Sequence, residues 1–224
     1  MRNKIEFMKK CIILANGDSP KKSEITFFRK KGYSTLICAD GGADTAKKLK
    51  LIPDYIIGDL DSISSNTLLH YQQKCRIIKM KRQNDTDVEK CLKFAIKNGY
   101  TEAILLGATG SRLDHSFCNL GIVLKFYDEI KIKILHDDSL LEAISGSIKI
   151  ATKKNETISL YGIDEKTKVS SRGLKYRLKN TALPFGKKES TSNVANGNRV
   201  ELNITNGKMF LIRDFNVMKN NDLI

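Results

Sequence analysis

The sequence predicts an α/β fold: an N-terminal doubly wound, mainly parallel sheet with helices on both faces, followed by a C-terminal all-β antiparallel sandwich. Up to about residue 144, short apolar runs alternate with stretches of helical periodicity, which is typical of βαβ units. From residue 148 onward apolar side chains recur at every second position, as in Val200, Leu202 and Ile204, which indicates strands with one buried face. We therefore expect two domains, residues 1–144 and 145–224, with the pattern changing between residues 138 and 151.

Six apolar runs are predicted as the strands of the first domain. Most consist of consecutive apolar residues, as expected of parallel strands that are covered on both faces. They span residues 10–15, 34–39, 54–57, 75–80, 103–106 and 130–135. The helix-length segments between them make each connection a βαβ crossover.

Helices are predicted between consecutive strands. The clearest begins at Thr86, where the residues Thr-Asp-Val-Glu fit a capping box, and it ends at Asn98-Gly99. Its apolar residues recur at helical spacing, beginning with Val88 and Cys91. The other predicted helices cover residues 23–31, 42–49, 66–73 and 113–126.

The second domain carries two Asn-Gly pairs, at residues 196–197 and 206–207. Asn-Gly is a strong hairpin signal, because both residues tolerate the positive φ angles of a tight two-residue turn. We therefore predict a hairpin at each pair, within a small sandwich of antiparallel strands.

The composition limits the class of protein. The 224 residues include 39 Lys and Arg against 25 Asp and Glu, and the net charge of +14 favours phosphorylated small molecules or polyanions as partners. No basic stripe with stacking aromatics forms a known nucleic-acid motif, so we expect no nucleic-acid partner. Five Cys without a Cys-x-x-Cys pair predict reduced thiols and a cytoplasmic location. The N-terminus is too polar for a signal peptide and no apolar run reaches the ~20 residues of a membrane span, so we expect no membrane partner.

Four aspartates follow the predicted strands of the first domain. Asp40 comes directly after the second strand, Asp59 and Asp61 follow the third, and Asp87 stands in the first helical turn after the fourth. The carboxyl ends of parallel strands form the edge where ligands bind. In extended backbone Asp59 and Asp61 point to the same side, and two such carboxylates together with phosphate oxygens suit Mg²⁺. The alternatives are a solvated acidic turn and, for Asp87, a favourable interaction with its helix dipole.

Two glycine-containing stretches at the same edge could approach a phosphate. Gly41-Gly42 opens a helix whose free N–H groups favour anions, and residues 107–111 form a glycine-rich loop that is not a P-loop. An ordinary helix-entry turn is the alternative for Gly41-Gly42. Arg112 could bind a phosphate or pair with Asp114, which could instead cap its helix, and His115 could contact a nucleotide or be structural.

Several motifs resemble those of the thiamine pyrophosphokinase family. In the first domain they read Ala-Asp-Gly-Gly-Ala at 39–43, Gly-Asp-Leu-Asp-Ser at 58–62, Asn-Asp-Thr-Asp at 84–87 and Ser-Arg-Leu-Asp-His at 111–115. In the second domain, residues 173–176 and 190–193 resemble the family's thiamine-binding sandwich. The likeness runs from Asn16 to about Ile212, in the same order and spacing.

This resemblance implies transfer of the pyrophosphoryl group of ATP to the hydroxyethyl group of thiamine, which gives thiamine diphosphate and AMP. It implies Mg²⁺ held by Asp59, Asp61 and Asp87, with Asp40, Asp61 and Asp87 as the catalytic acids. The implied ATP-binding residues are Asn16, Gly41, Gly42, Gln83, Thr86, Gly107, Gly110, Ser111, Arg112, Asp114 and His115. The implied thiamine-binding residues are Tyr176, Ser192 and Asn193. Family members are homodimers whose thiamine sites form between the sandwich of one subunit and the α/β domain of the other.

Two positions depart from the family pattern. Animal and fungal members carry Trp where this chain has Tyr176, and Gln83-Asn84 stands where many bacterial members have a Lys-Asp pair. The alternative functions are a Mg²⁺-dependent kinase or hydrolase of another phosphate-bearing small molecule, and a basic RNA-binding protein without catalysis.

Overall fold

A computed structural model describes residues 8–81 and 84–224 and divides the chain into two units. The first unit ends at His136 and the second begins at Asp137, whereas the sequence predicts the boundary at residues 144/145. The difference arises because strand β7, Ser139–Ala151, is continuous and pairs on both sides of its Ser145 with a single strand of the second unit. The alternating pattern that set the predicted boundary begins only inside this strand.

The strands described in the first unit are all parallel, which confirms the predicted sheet. They are β1 (Lys9–Leu14), β2 (Thr35–Ala39), β3 (Tyr55–Gly58), β4 (Arg76–Lys79), β5 (Tyr100–Leu106) and β6 (Lys131–His136). Their spatial order is β6-β5-β1-β2-β3-β4. In β1 the consecutive residues Cys11, Ile12 and Ile13 are fully buried. Since successive side chains of a strand point to opposite faces, both faces of the sheet are covered there.

Helices connect these strands: α1 (Lys22–Lys30), α2 (Gly42–Lys48), α3 (Ser65–Tyr71), α4 (Asp87–Lys97) and α5 (Leu113–Lys125). The predicted capping box is present at the start of α4. The backbone N–H of Glu89 donates to Thr86 Oγ1 at 3.2 Å, and the backbone N–H of Thr86 donates to Glu89 Oε2 at 3.0 Å. This reciprocal cap fixes the first turn of the helix and with it the position of Asp87.

The second unit consists of antiparallel strands, as predicted. Besides β7 they are β8 (Thr157–Gly162), β9 (Lys168–Arg172), β10 (Thr181–Ala182), β11 (Ser190–Val194) and β12 (Arg199–Asp214). β12 pairs with β7 on one side and with β9 and then β8 on the other. The hydrophobic core of the second unit includes Ile158, Leu160, Val169, Leu202 and Leu211.

The hairpin predicted at Asn206-Gly207 is wrong, because this pair lies inside β12. The pairing of β12 with β7 shifts register between Ile204 and Met209, and β12 pairs with β9 before this shift and with β8 after it. Asn206 has a φ of 60°, so the Asn-Gly pair forms a bulge that bends the strand. The hairpin predicted at residues 196–197 is wrong as well, because the strand before it, β11, pairs with β8 and not with β12.

A short helix, α6 (Phe215–Asn220), follows β12 and departs from the all-β prediction for this part of the chain. Asp214 caps it by accepting a hydrogen bond from the backbone N–H of Val217 at 2.8 Å, and Phe215 and Met218 are buried. Among the described residues, no helix combines the length and apolar character that a membrane span requires.

Candidate active site

A cavity of about 550 Å³ lies at the carboxyl ends of the strands of the first unit. The loops after β1, β2 and β5 line it together with the first turn of α4. β1 pairs with β2 on one side and with β5 on the other, so the chain leaves β1 and β5 in opposite directions. Ligands of open α/β sheets bind at this kind of switch point, and the volume is in the range of small-molecule sites.

Direct backbone hydrogen bonds join the loops after β1 and β5. The N–H of Gly17 donates to the carbonyl of Gly107 at 2.7 Å, and the N–H of Asp18 donates to the carbonyl of Thr109 at 2.8 Å. A Cβ on Gly17 would lie 2.3 Å from the Thr109 carbonyl oxygen, so only glycine permits this approach. Asp18 and Thr109 line the cavity but were not among the predicted site residues. The adjacency of β1 and β5, which brings them there, is not visible in the sequence.

Three aspartates converge beside this cavity. Carboxylate oxygens of Asp40, Asp59 and Asp87 lie within 4.8 Å of one another. The first two follow the neighbouring strands β2 and β3, and Asp87 opens α4. A Cβ on Gly58 would lie 2.7 Å from the Cβ of Asp40 and 3.2 Å from Asp87 Oδ1. The absence of a side chain at Gly58 therefore lets the carboxylates approach one another.

Asp61 does not belong to this group, although the sequence predicts it as a metal ligand and a catalytic acid. That prediction assumed an extended backbone between Asp59 and Asp61. Leu60 instead has a φ of 67°, which turns the chain after Asp59. Asp61 is exposed, its side chain interacts with that of Asp59, and its Oδ1 accepts a hydrogen bond from the hydroxyl of Ser62 at 3.0 Å.

Asp40 is the most buried of the three acids. Its side chain accepts hydrogen bonds from the backbone N–H groups of Ser62 at 3.3 Å and Ile63 at 3.1 Å, which holds the loop after β3. Burial raises the pKa of Asp40 to about 6, the hydrogen bond from Ser62 opposes this rise, and the charges of Asp87 and Asp59 add to it. The cluster therefore carries a repulsion that a cation would relieve.

The structure adds Lys90, which the sequence interpretation missed. Its Nζ lies 2.8 Å from Asp87 Oδ1 and 3.4 Å from Asp59 Oδ2, and its side chain is 3% exposed. Burial by itself would lower the pKa of Lys90, but the hydrogen bond and charge of Asp87 and the charge of Asp59 raise it above its usual value. The spacing of three residues between Asp87 and Lys90 on one helix was the available signal.

The donor set fits Mg²⁺. Asp59 Oδ1 is buried and has no hydrogen-bond partner among the described residues. A buried carboxylate oxygen without a partner is costly, and a bound cation would satisfy it. Mg²⁺ prefers oxygen ligands and is commonly held by one or two carboxylates with phosphate oxygens and water. Asp40, Asp59 and Asp87 are the residues in position to hold such an ion.

Most of the predicted ATP-binding residues surround the cavity. Those that line it are Asn16, Gly41, Thr86, Gly107, Gly110, Ser111, Arg112, Asp114 and His115. Gly42 does not line it, and a Cβ there would lie 2.1 Å from the carbonyl oxygen of Leu14, so this glycine serves the packing of α2 on β1. Gln83 lies outside the described residues.

Arg112 and Asp114 form a two-pronged ion pair at the rim of the cavity. Arg112 Nε donates to Asp114 Oδ1 at 2.9 Å, and Nη2 donates to Oδ2 at 2.6 Å. The Arg112 guanidinium holds the pKa of Asp114 well below its usual range. Both side chains are exposed, as is that of His115, so Arg112 can present this same pair of donors to a phosphate only by leaving Asp114. Of the alternatives considered for Arg112, the structure contains the ion pair.

Asn119 is a further cavity residue that the sequence interpretation missed. It is buried on α5, and its Nδ2 donates to the carbonyl of Ala108 at 2.5 Å. This bond ties the glycine-rich loop to the helix that follows it. The only available signal was an Asn on the buried face of an amphipathic helix, where a polar side chain needs a partner.

The three predicted thiamine-binding residues lie in the second unit and differ in accessibility. The Tyr176 side chain is 62% exposed, with Lys175 Nζ at 5.5 Å from its ring centroid. Asn193 is 2% exposed, and its amide bonds both the N–H of Tyr176 at 3.0 Å and the carbonyl of Tyr176 at 2.7 Å. Ser192 is exposed with a φ of 55°. Tyr176 therefore offers an exposed ring with Lys175 on one side, whereas Asn193 holds the Tyr176 backbone.

Two family models match the chain, one in each unit. The model described as thiamin pyrophosphokinase, catalytic domain, matches residues 26–135. The model described as thiamin pyrophosphokinase, vitamin B1 binding domain, matches residues 147–209. Together they account for most of the sequence.

Individual proteins and solved structures agree with these matches. The chain is 27% identical over 191 residues to thiamin pyrophosphokinase 1 of Caenorhabditis elegans, and the match covers 79% of this chain and 77% of that protein. It is 27% identical over 221 residues to thiamine pyrophosphokinase 1 of Oryza sativa subsp. japonica, and this match covers 86% of this chain and 82% of that protein. The crystal structure of thiamine pyrophosphokinase from Bacillus subtilis has a TM-score of 0.81 at 22% identity, covering 92% of this chain and 99% of that one. The crystal structure of yeast thiamin pyrophosphokinase has a TM-score of 0.80 at 21% identity, covering 98% of this chain and 90% of that one.

Proposed function

Because the chain belongs to the thiamin pyrophosphokinase family, we propose that it transfers the pyrophosphoryl group of ATP to thiamine, giving thiamine diphosphate and AMP. The observation that carries this proposal is the cluster of Asp40, Asp59 and Asp87 beside the cavity at the strand ends. Transfer between phosphate groups is mainly a matter of positioning and charge neutralisation, which such a cluster can support through a metal ion.

We propose that Asp40, Asp59 and Asp87 hold Mg²⁺. The ion would supply positive charge to the phosphates of ATP as negative charge moves to the leaving AMP. The unpartnered Oδ1 of Asp59 supports this assignment, as does the mutual repulsion of the three acids. Asp61 is left out of the ligand set because, although its side chain interacts with that of Asp59, it is not among the acids whose carboxylate oxygens all lie close together.

ATP is proposed to occupy the cavity. Its size suits a nucleotide, and it is lined by backbone from two glycine-containing loops that can approach phosphates closely. Among the lining residues, Thr109 has a buried hydroxyl without a hydrogen-bond partner in the described part of the chain, so it can bind a ligand oxygen. Arg112 would exchange Asp114 for a phosphate, which is the charged partner that best matches its two-pronged geometry.

In the proposed reaction the hydroxyethyl oxygen of thiamine bonds to the β-phosphorus of ATP. The bond from that phosphorus to the α,β-bridging oxygen breaks, AMP leaves with the bridging oxygen, and the hydroxyl proton passes to a base. Asp40 is our candidate for orienting the hydroxyl and accepting its proton, because it lines the cavity whereas Asp61 does not. A base of this kind must lie within hydrogen-bond reach of the proton it takes.

For thiamine itself we propose Tyr176 as the main contact. Thiamine carries a cationic ring, and an exposed aromatic face attracts a cation. Asn193 would act through Tyr176 by fixing its backbone. The Mg²⁺ requirement and the homodimer implied by the family resemblance, and the cytoplasmic location predicted from the cysteines, are part of the same proposal.

A coupled assay for AMP tests this function. We expect AMP release that requires both thiamine and Mg²⁺, with thiamine diphosphate as the second product. ADP as the product, or turnover independent of thiamine, would point to a kinase or hydrolase of another substrate. Tight, salt-sensitive RNA binding with no AMP release would point to the RNA-binding alternative.

A further inference from the structure

Lys90 is a buried cation within the acid cluster. It lies on α4 one turn after Asp87, and only 3% of its side chain is exposed. Lysine is almost never fully buried unless it is paired, because its ammonium loses hydration. Here the ammonium contacts Asp87 at 2.8 Å and Asp59 at 3.4 Å, so it bridges two of the three acids.

This contact determines the charge of the cluster. The three carboxylates carry three negative charges when ionised, and Lys90 offsets one of them. The remaining charge is the amount that one divalent ion neutralises. Without Lys90, the cluster would attract a bare divalent ion more strongly and would stay negative after binding it, which opposes an anionic phosphate.

We propose that Lys90 is a positioning residue that holds Asp59 and Asp87 before a metal ion arrives and lowers the affinity of the cluster for a metal ion without phosphate. The cluster would then favour Mg²⁺ that is already bound to a nucleotide. This inference rests on the proposed function, since it assumes that the three acids hold Mg²⁺ for a phosphate-bearing substrate.

A purely structural ion pair makes different predictions, and Lys93 provides the matched control. Lys93 lies on the same helix and pairs with Asp85 at 2.6 Å, with its side chain 40% exposed. Asp85 is not part of the acid cluster. Replacing Lys93 therefore removes a lysine and an ion pair from the same helix without changing the charge at the three carboxylates.

Calorimetric titration of the full chain with Mg²⁺ alone, compared among the wild type, Lys90→Met and Lys93→Met, tests the proposal. We expect Lys90→Met to bind Mg²⁺ alone about tenfold more tightly than the wild type, because one opposing charge beside the ion is gone. With an ATP analogue whose α,β bridge cannot be cleaved, Lys90→Met should bind the Mg²⁺–nucleotide complex more weakly than the wild type. Lys93→Met should match the wild type in both titrations.

Equal Mg²⁺ affinities in Lys90→Met and the wild type would overturn the proposal, as would weaker Mg²⁺ binding in the variant. Lys90→Gln, which keeps a hydrogen-bond donor without the charge, gives the same decision if Lys90→Met does not fold. A variant that folds only when Mg²⁺ is added would support the proposal, whereas failure of both variants to fold even with Mg²⁺ would overturn it. Thiamine-dependent AMP release by the wild type tests the proposed function separately, so the two failures can be told apart.

Discussion

Single residues in special backbone conformations assemble the acid cluster. Asp40 has a φ of 40° directly after β2, and Leu60 has a φ of 67° two residues after β3. The left-handed conformation costs a residue other than glycine about 1–2 kcal/mol. The backbone hydrogen bonds from Ser62 and Ile63 to Asp40 hold this geometry. Strain of this kind concentrates at functional sites, where the surrounding structure keeps it in place.

Exchanging single acids for amides distinguishes the three acids of the cluster from Asp61, which lies beside Asp59 but outside the group. We expect Asp59→Asn to lower AMP release by about a hundredfold or more, as for the loss of a group that stabilises transition-state charge. Thermal stability should stay the same or fall, because burial raises the pKa of Asp59 but the charge and hydrogen bond of Lys90 lower it below its usual value, and the amide loses this charge interaction. Thiamine-dependent AMP release and a melting curve without Mg²⁺ measure the two effects.

Asp61→Asn is the control for this comparison. The Asp61 carboxylate is exposed and bonds Ser62, so the variant should keep most of the wild-type activity. A large loss in Asp61→Asn together with near-normal turnover in Asp59→Asn would remove our ligand assignment.

Substitutions of Asn193 and Tyr176 should distinguish an effect on the stability of the fold from an effect on the affinity for thiamine. Asn193→Ala removes the bonds to the Tyr176 backbone from a buried position, so we expect a loss of about 1–3 kcal/mol in the free energy of unfolding. Because the ring is then less well placed, the KM for thiamine should rise more than kcat falls. Urea unfolding and thiamine titrations at saturating ATP check both effects.

Tyr176→Phe and Tyr176→Ala complete this test. Both should fold like the wild type, because the ring is exposed. Phe keeps an aromatic face and should keep the thiamine KM close to that of the wild type, whereas Ala should raise it. Unchanged thiamine KM in Tyr176→Ala would exclude Tyr176 as the thiamine contact.

The candidate site was predictable only in part. The placement of Asp40, Asp59 and Asp87 follows from their positions after strands, because parallel strands end at one edge. The position of Asp61 outside the three-acid group was not predictable, since Leu is rare at positive φ and nothing in its identity marks the turn. Lys90 was missed for a different reason. Most lysines lie on the surface, and only the folded helix shows that this one faces the acids.

At the level of elements, the strands of the first unit were predictable and the second unit was less so. Consecutive apolar residues, as in Ile12 and Ile13 of β1, require cover on both faces and leave few alternatives to a buried strand. In the second unit the Asn-Gly pairs were misleading, because a bulge and a hairpin use the same backbone freedom. Which of the two forms depends on the partner strands, and pairing between distant segments cannot be read from local sequence.

The two Asn-Gly glycines differ in their surroundings, which gives a test of the bulge in β12. A Cβ on Gly207 would lie 2.0 Å from Thr167 Oγ1, whereas nothing lies within 4 Å of a Cβ on Gly197. We expect Gly207→Ala to lower the free energy of unfolding by about 1–3 kcal/mol, as for overpacking in a closely packed region. Gly197→Ala should change it little. Urea unfolding of both variants measures the difference, and equal stabilities would contradict the packing assigned to this bulge.

Across the whole molecule, many carboxylates gain from their folded surroundings. Burial by itself would raise the pKa of Glu89 and of Glu102, but other interactions hold both values below the usual one. The largest of these is a hydrogen bond from Lys125 for Glu89 and a hydrogen bond from Tyr33 for Glu102. A group whose pKa is lower in the folded state than in the unfolded state stabilises the fold at neutral pH. This stabilisation is lost as the pH falls through the folded pKa, because the unfolded chain then binds more protons. The chain should therefore lose stability on acidification, and its net charge of +14 adds to this loss, because protonation of the carboxylates increases the excess of positive charge.

Glu102 provides the sharpest test of this pH dependence. Its Oε2 accepts a hydrogen bond from the Tyr33 hydroxyl at 3.0 Å and lies 3.2 Å from Lys10 Nζ, with its side chain 12% exposed. We expect Glu102→Gln to be less stable than the wild type at pH 7. The difference in stability should shrink as the pH falls below about 4.3, the usual pKa of Glu. Protonation then makes the wild-type side chain neutral, as Gln is at every pH. Urea unfolding of both proteins at several pH values measures this convergence, and a difference that stays constant down to pH 3 would show that the charge of Glu102 does not contribute to stability.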